Sequence, residues 1–286
     1  MKTIGFIGVG IMGRAMVRNL MQTGFDVTVY TRTEEKAAAL IQEGAHWAPS
    51  VAECVREKDA VITMVGYPSD VEEVYFGPAG VLENAKPGAI IIDATTSQPD
   101  LAIRIFAEAK AKGLHTLDAP VTGGEVGAIS ATLVVMVGGE REVFEQAMPI
   151  FDAIGSSIHY HGSAGMGQHC KMANQIGIAS NIAGICEVFA YARAVGLDPE
   201  NVLHTIKGGS AGSVQMSLLG TKMLAEDDKP AFYLKHFLKD LKITLEEAEK
   251  RGQNLPQTKS VTAAYQGLED RGFGDSGTQA LRHHYE

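Results

Sequence analysis

Lys171 lies in the run Gly165-Met166-Gly167-Gln168-His169-Cys170-Lys171-Met172-Ala173-Asn174-Gln175. On a helix, Lys171 and Asn174 are three apart and share a face, and Gly167 one turn earlier leaves room there for a ligand. A lysine in partly apolar surroundings has its pKa lowered by desolvation, which suits proton transfer to an alkoxide as hydride arrives at a carbonyl. A single helical lysine is, taken alone, more simply an exposed or snorkelling charge. A second segment, Asp118-Ala119-Pro120-Val121-Thr122-Gly123-Gly124, follows a strand-like run at its carboxyl end, where α/β sheets place ligands. The backbone N–H groups of Gly123 and Gly124 and the Thr122 hydroxyl suit a carboxylate. By itself the segment serves equally as a strand-to-loop turn.

The third segment is Gly8-Val9-Gly10-Ile11-Met12-Gly13, directly after the apolar run Ile4–Ile7 and opening a helical pattern over Met12–Gln22. Gly8 permits the tight turn, Gly10 lets a pyrophosphate approach the backbone, and Gly13 lets helix and strand pack closely. The helix end then offers unpaired N–H groups and the positive end of its dipole. A dinucleotide is expected here. In an NAD site, an acidic residue about 20 residues on receives the ribose hydroxyls. The corresponding tip after Val27–Tyr30 is instead Thr31-Arg32-Thr33, whose guanidinium fork and hydroxyls suit a 2′-phosphate. NADP is therefore favoured, and NAD stays open as the alternative.

Elements that would hold these segments are visible in the pattern. Strand-like runs at Thr3–Ile7, Val27–Tyr30, Ala60–Met64, Ala89–Ile92, Thr116–Asp118 and Leu133–Val137 alternate with helical ones. The helical patterns cover Met12–Gln22, Glu34–Gln42, Asp70–Tyr75, Pro99–Lys112 and Glu140–Ile154. Strand alternating with helix implies crossovers and a mostly parallel sheet covered on both faces. After Gly162 the pattern turns helical, with one long stretch from Met166 to Val195, then Pro199–Ile206, Ser213–Leu224, Leu234–Arg251 and Pro256–Arg271. The expected fold class is α/β, an N-terminal Rossmann-type doubly wound parallel sheet plus a C-terminal all-α domain with a long interdomain helix. The expected domains are 1–162 for the dinucleotide and 163–286 for substrate and oligomerisation.

Composition limits the alternatives. With 286 residues, 45% hydrophobic and 21% charged, the chain is a folded globular protein of about two domains. Its 25 basic and 34 acidic residues give a net charge of −9, which argues against nucleic acid or anionic lipid as a partner. Residues 1–162 carry 12 basic and 20 acidic side chains against 13 and 14 in the remainder. No stretch approaches the roughly 18 apolar residues of a membrane helix, and the N-terminus runs directly into a strand instead of a basic leader, so a cytoplasmic location is expected. Cys54, Cys170 and Cys186 lack CxxC spacing and read as reduced, structural thiols. His159 and His161 alternate on a strand without a carboxylate at ligand spacing, so no metal site is assigned.

Four ordered motifs, spread from end to end of the chain, together resemble the β-hydroxyacid dehydrogenase family. They are Phe6 to Gly13 with Met16, Asn19 and Leu20; Asp118 to Gly124, with Thr122 where serine is more usual; Gly165-Met166-Gly167 with Lys171 and Asn174; and Phe232 with Lys239-Asp240-Leu241. The resemblance implies that Lys171 is the general acid in reduction and the base in oxidation, and that Asn174 hydrogen-bonds the substrate. It implies that Thr122, Gly123 and Gly124 hold the substrate carboxylate and that Phe232 borders the active site. Gly8, Gly10, Ile11, Met12, Gly13, Thr31, Arg32 and Thr33 would bind the dinucleotide, with Met64, Val65 and Thr95 near the nicotinamide. Lys239 and Asp240 would close over the cofactor from the helical domain, in a cleft between domains.

Thr31-Arg32-Thr33 and Leu234-Lys235-His236 look more like the NADPH-using glyoxylate/succinic semialdehyde reductases of that family than its NAD-using hydroxyisobutyrate enzymes. Reduction of a small carboxylate-bearing aldehyde is the first expectation. The alternatives are NAD-dependent oxidation of 3-hydroxyisobutyrate and a non-catalytic dinucleotide sensor, which would more naturally lack Lys171. The apolar stretch Ile176 to Val195 suggests self-association, and the resemblance implies a dimer or tetramer.

Overall fold

Runs of β-branched and aliphatic residues become nine strands in the computed structural model, which describes residues 1–286. They are β1 (Thr3–Ile7), β2 (Asp26–Tyr30), β3 (His46–Trp47), β4 (Ala60–Thr63), β5 (Ile90–Asp93), β6 (His115–Asp118), β7 (Val121–Thr122), β8 (Leu133–Gly139) and β9 (Gly155–Gly162). Between them run α1 (Ile11–Gln22), α2 (Ala38–Gln42), α3 (Val51–Val55), α4 (Pro68–Phe76), α5 (Val81–Asn84), α6 (Pro99–Ala111), α7 (Gly124–Ile129) and α8 (Arg141–Ile154). Then follow α9 (Met166–Ala194), α10 (Pro199–Ile206), α11 (Val214–Leu224), α12 (Leu234–Lys250) and α13 (Pro256–Asp270). The chain divides into two units, Met1–Lys171 and Met172–Glu286, so the division falls inside α9.

The strands of the first unit form one sheet in the order β3-β2-β1-β4-β5-β6-β8-β7, with β9 joining β8. Pairing is parallel from β3 through β6. Strands β4 and β5 are buried along their whole length, which is why Ala60–Thr63 and Ile90–Asp93 read as continuous apolar runs instead of alternating ones. Alternate residues serve opposite faces. Ile4, Phe6, Ile62, Ile90 and Ile92 pack with residues of α1 and α8, such as Met16 and Phe151. Ile7, Val61 and Ile91 pack with Cys54, Tyr75 and Ile105 on the other face.

Beyond β6 the sheet is mixed. Strand β8 is antiparallel to β6 and β7 and parallel to β9. The chain leaves β6 through Ala119-Pro120, and the six residues of α7 are too few to carry it back across the sheet for a parallel return. Strand order reverses around β1, whose neighbours are β2 and β4. The carboxyl ends of β1 and β4 therefore flank a crevice of the kind where open α/β sheets bind ligands.

The second unit is helical, its one β-type pairing being the isolated bridge between Tyr233 and Gly277. Leu234, Phe237, Leu238 and Leu241 recur at helical spacing on α12 and are all buried. Phe237 meets Tyr265 of α13 edge-on at 5.3 Å, and the Tyr265 hydroxyl donates to the Thr278 carbonyl at 2.8 Å. No helix is long and apolar enough to cross a membrane. All three cysteines are free, and burial pushes the Cys54 and Cys186 thiols up to about 12, leaving them unreactive near neutral pH.

Candidate active site

Three glycines shape the turn from β1 into α1. Gly8 has φ +99°, and a Cβ there would collide with the Met64 carbonyl, so only glycine fits where β1 passes β4. A Cβ on Gly13 would collide with the Gly8 carbonyl and sit 3.0 Å from Phe6 Cε1. Around Gly10 a Cβ would meet nothing within 4 Å. Two of the glycines thus seat the helix against the strand, and the third keeps its approach open. Helix α1 has no side-chain cap and no acidic residue in its first turn, so its positive end and first N–H groups, those of Ile11, Met12 and Gly13, are available to an anion. This arrangement fits a dinucleotide pyrophosphate.

Around that turn, Met64 and Val65 are partly exposed, whereas Thr95 is 1% exposed. The Thr95 hydroxyl accepts from Val65 N–H at 3.0 Å and its N–H donates to Asp93 Oδ1 at 3.0 Å. Thr95 thereby fixes the loop after β4. At the tip of β2, Thr31 is partly exposed while Arg32 and Thr33 are exposed. Arg32 Nη2 donates to Asp70 Oδ1 at 2.8 Å and to Glu73 Oε2 at 2.9 Å. Both bonds use Nη2, and the side chain as a whole is 65% exposed.

Lys171 is 6% exposed, and its ammonium donates to the Val121 carbonyl at 2.9 Å. The first unit thus brings the lysine to the residue preceding Thr122. Gly123 has φ +129° and Gly124 +64°, so the chain turns sharply out of β7 in a conformation other residues resist. The start of α9 is held from β6. Asp118 Oδ1 accepts from Gly165 N–H at 2.8 Å and Oδ2 from Gln168 N–H at 2.9 Å. Burial pushes the Asp118 carboxyl up to about 7, against those two bonds and with the charge of Asp93 adding to the rise. The Gln168 side chain donates to the Thr95 carbonyl at 2.8 Å and accepts from Ser97 N–H at 3.0 Å.

In the second unit, Asn174 Nδ2 donates to Gln175 Oε1 at 2.7 Å, and Gln175 Nε2 donates to Asp240 Oδ2 at 2.6 Å. Lys239 Nζ lies 3.0 Å from Asp240 Oδ1, a charge pair without hydrogen-bond alignment. Asn174, Lys239 and Asp240 are therefore joined through Gln175. Phe232 is exposed and meets Phe237 edge-on at 5.9 Å. Asp93, Gln168 and Gln175, all buried, were not singled out from the sequence. Their signal was there as polar residues inside apolar runs, which when buried must be bonded.

Residues 3–162 match the family described as the NAD binding domain of 6-phosphogluconate dehydrogenase. Residues 165–285 match that described as the NAD-binding domain of NADP-dependent 3-hydroxyisobutyrate dehydrogenase. The chain is 52% identical over 280 residues to an uncharacterised oxidoreductase, YkwC, of Bacillus subtilis, covering 98% of this chain and 97% of the relative. It is 36% identical over 255 residues to the 2-hydroxy-3-oxopropionate reductase of Escherichia coli, covering 89% and 87%. The solved structure of Psf3 in complex with NADP+ and 2-OPP superimposes with a TM-score of 0.89 at 26% identity, covering 98% of this chain and 99% of that one.

Proposed function

The chain belongs to the β-hydroxyacid dehydrogenase family, NAD(P)-dependent oxidoreductases, and from that premise we propose that it is an NADPH-dependent reductase of a small carboxylate-bearing aldehyde, of the glyoxylate or succinic semialdehyde class. The observation that carries the reading is the ammonium of Lys171, buried and 2.9 Å from the Val121 carbonyl, next to Thr122. The bound reduced dinucleotide supplies the hydride. Lys171 Nζ gives its proton to the carbonyl oxygen as negative charge develops there, so that oxygen ends as a neutral hydroxyl on the hydroxy-carboxylate product. The Thr122 hydroxyl and the N–H groups of Gly123 and Gly124 hold the substrate carboxylate. Asn174 hydrogen-bonds the substrate, and Phe232, Lys239 and Asp240 belong to the same proposed set.

The cofactor choice rests on Arg32. The β2 tip carries no carboxylate of its own, and the exposed guanidinium suits a 2′-phosphate. Exposed ion pairs are weak, so a phosphate competes well with Asp70 and Glu73. The same two carboxylates favour a second reading, NAD-dependent oxidation of a 3-hydroxy acid such as 3-hydroxyisobutyrate, because they place negative charge where the 2′-phosphate would sit. The test is kcat/KM with NADPH and NADH against glyoxylate, succinic, tartronate and methylmalonate semialdehydes, and with NADP+ and NAD+ against 3-hydroxyisobutyrate. A preference for NADPH of about tenfold or more, worth about 1.4 kcal/mol, is expected with one of the aldehydes. Faster oxidation of 3-hydroxyisobutyrate with NAD+ would replace this reading by the second.

A further inference from the structure

Two carboxylates lie side by side inside the first unit. Asp93 ends β5, Asp118 ends β6, and the two are register partners on adjacent parallel strands. They are 5% and 4% exposed. A cavity of about 10 Å³ opens onto both, walled by Tyr75 of α4, Ala102 and Ile105 of α6, and Ala164. That is about the space one water needs. Two carboxylates so placed in a poorly solvated interior resist being ionised together.

Each carboxylate also holds a segment that matters for reaction. Asp93 Oδ1 accepts from the Thr63 hydroxyl at 2.7 Å and from Thr95 N–H at 3.0 Å, and Thr95 in turn fixes Val65. The Thr63 hydroxyl also meets the Tyr75 hydroxyl at 3.0 Å. Asp118 accepts from Gly165 and Gln168 with one oxygen each, a bidentate grip on the start of α9 that needs a carboxylate with both oxygens free to accept. A Cβ on Gly167 would lie 2.5 Å from the Asp118 and Met136 carbonyls, so α9 starts pressed against β6 and β8. Lys171 follows Gln168 by about one helical turn.

We propose that Asp93 and Asp118 share one proton across this cavity and act as positioning residues. With Asp118 ionised, the start of α9 is gripped and Lys171 is held at Val121. With Asp118 protonated, the oxygen that carries the proton is a weaker acceptor for its backbone N–H, and the grip loosens. The ionisable side chains facing Asp118 from the walls are Asp93 and Tyr75. Burial and the charge of Asp93 hold Tyr75 well above the usual phenol range, so it stays neutral. The kinetic consequence rests on the reading of Lys171 given above, whereas the shared proton does not.

The test is infrared titration of the whole protein without substrate, for wild type and Asp93→Asn, alongside the pH profile of kcat. The amide oxygen that Asp93→Asn leaves in place of the carboxylate can still accept from Thr63 and Thr95. The wild type is expected to show a buried protonated carboxyl that disappears with a midpoint near 7. In Asp93→Asn that midpoint and the acid limb of kcat move together to lower pH. A merely structural role would lower kcat at every pH and leave the limb in place. A wild-type carboxyl signal titrating only in the ordinary range near 4, or an acid limb unmoved in Asp93→Asn, overturns the proposal. The wild-type titration decides even if the variant does not fold. If the carboxyl titrates as expected while Lys171→Ala keeps its turnover, the proposed function fails and the carboxylate pair stands.

Discussion

Replacing Gly10 and Gly13 separately by alanine tests whether the turn after β1 is built for a ligand or only for a fold. Gly10 has φ −68° and ψ −165°, which alanine adopts freely, and its Cβ would meet no atom within 4 Å. Gly10→Ala should therefore leave the fold intact, or stabilise it by about 0.4–1 kcal/mol through the unfolded chain. Its methyl group, however, enters the space through which a pyrophosphate reaches the first N–H groups of α1. Losing one or two charge-assisted bonds there costs about 2–3 kcal/mol, or roughly 30- to 150-fold in Kd.

Gly13→Ala is the opposite case, because the new Cβ collides with the Gly8 carbonyl and crowds Phe6. Overpacking of that kind costs about 1–3 kcal/mol. At about 2–4 °C per kcal/mol for a chain of this class, Tm falls by roughly 2–12 °C. The assay is a thermal melt of each ligand-free variant, followed by titration with NADPH and NADH read by nicotinamide fluorescence. Gly10→Ala binding either dinucleotide as tightly as wild type, or melting as low as Gly13→Ala, would refute the reasoning.

Two further predictions concern charge. Arg32→Ala should weaken NADPH by about 10- to 100-fold in kcat/KM and barely change NADH, and Asp70→Asn with Glu73→Gln should raise the preference for NADPH; equal losses with both cofactors would remove Arg32 from the 2′-phosphate. Asp118 binds its proton more tightly folded than unfolded, since burial raises its pKa from 3.8 to about 7. Its contribution to stability therefore declines as pH rises from about 4 to about 7 and is flat above, by roughly 4 kcal/mol in all. Asp118→Asn should flatten this part of the curve in urea unfolding at a series of pH values, and parallel curves for variant and wild type would contradict it.

Periodicity carried the long elements and lost the short ones. The runs at Thr3–Ile7 and Pro199–Ile206 have the bounds that their pattern implies, and α9 ends one residue short of Val195, at Ala194. Strand β3 has two residues, α3 five and α5 four, too few to show any period. The Gly123-Gly124 segment reads as a loop, and the structure makes Gly124 the first residue of α7. The Gly-rich turn was legible because the glycine spacing is fixed, with a steric reason inside the protein at Gly8 and Gly13 and room for a ligand at Gly10. The partners of the site residues were not, because they come from distant elements. Asp70 and Glu73 reach Arg32 from α4, and Asp118 grips Gly165 and Gln168 across 47 and 50 residues. Lys171, in sequence no different from a surface lysine, is buried because the start of α9 is held against β6.

Turnover of Lys171→Ala against its unchanged affinity for NADPH tests the central claim most directly. With the preferred aldehyde saturating, kcat should fall by about 10²- to 10⁴-fold, the usual contribution of a positioned proton donor, while NADPH binds as it does to wild type. A variant that binds NADPH and reduces the aldehyde at a rate close to that of wild type would contradict the assignment of Lys171 and the mechanism built on it.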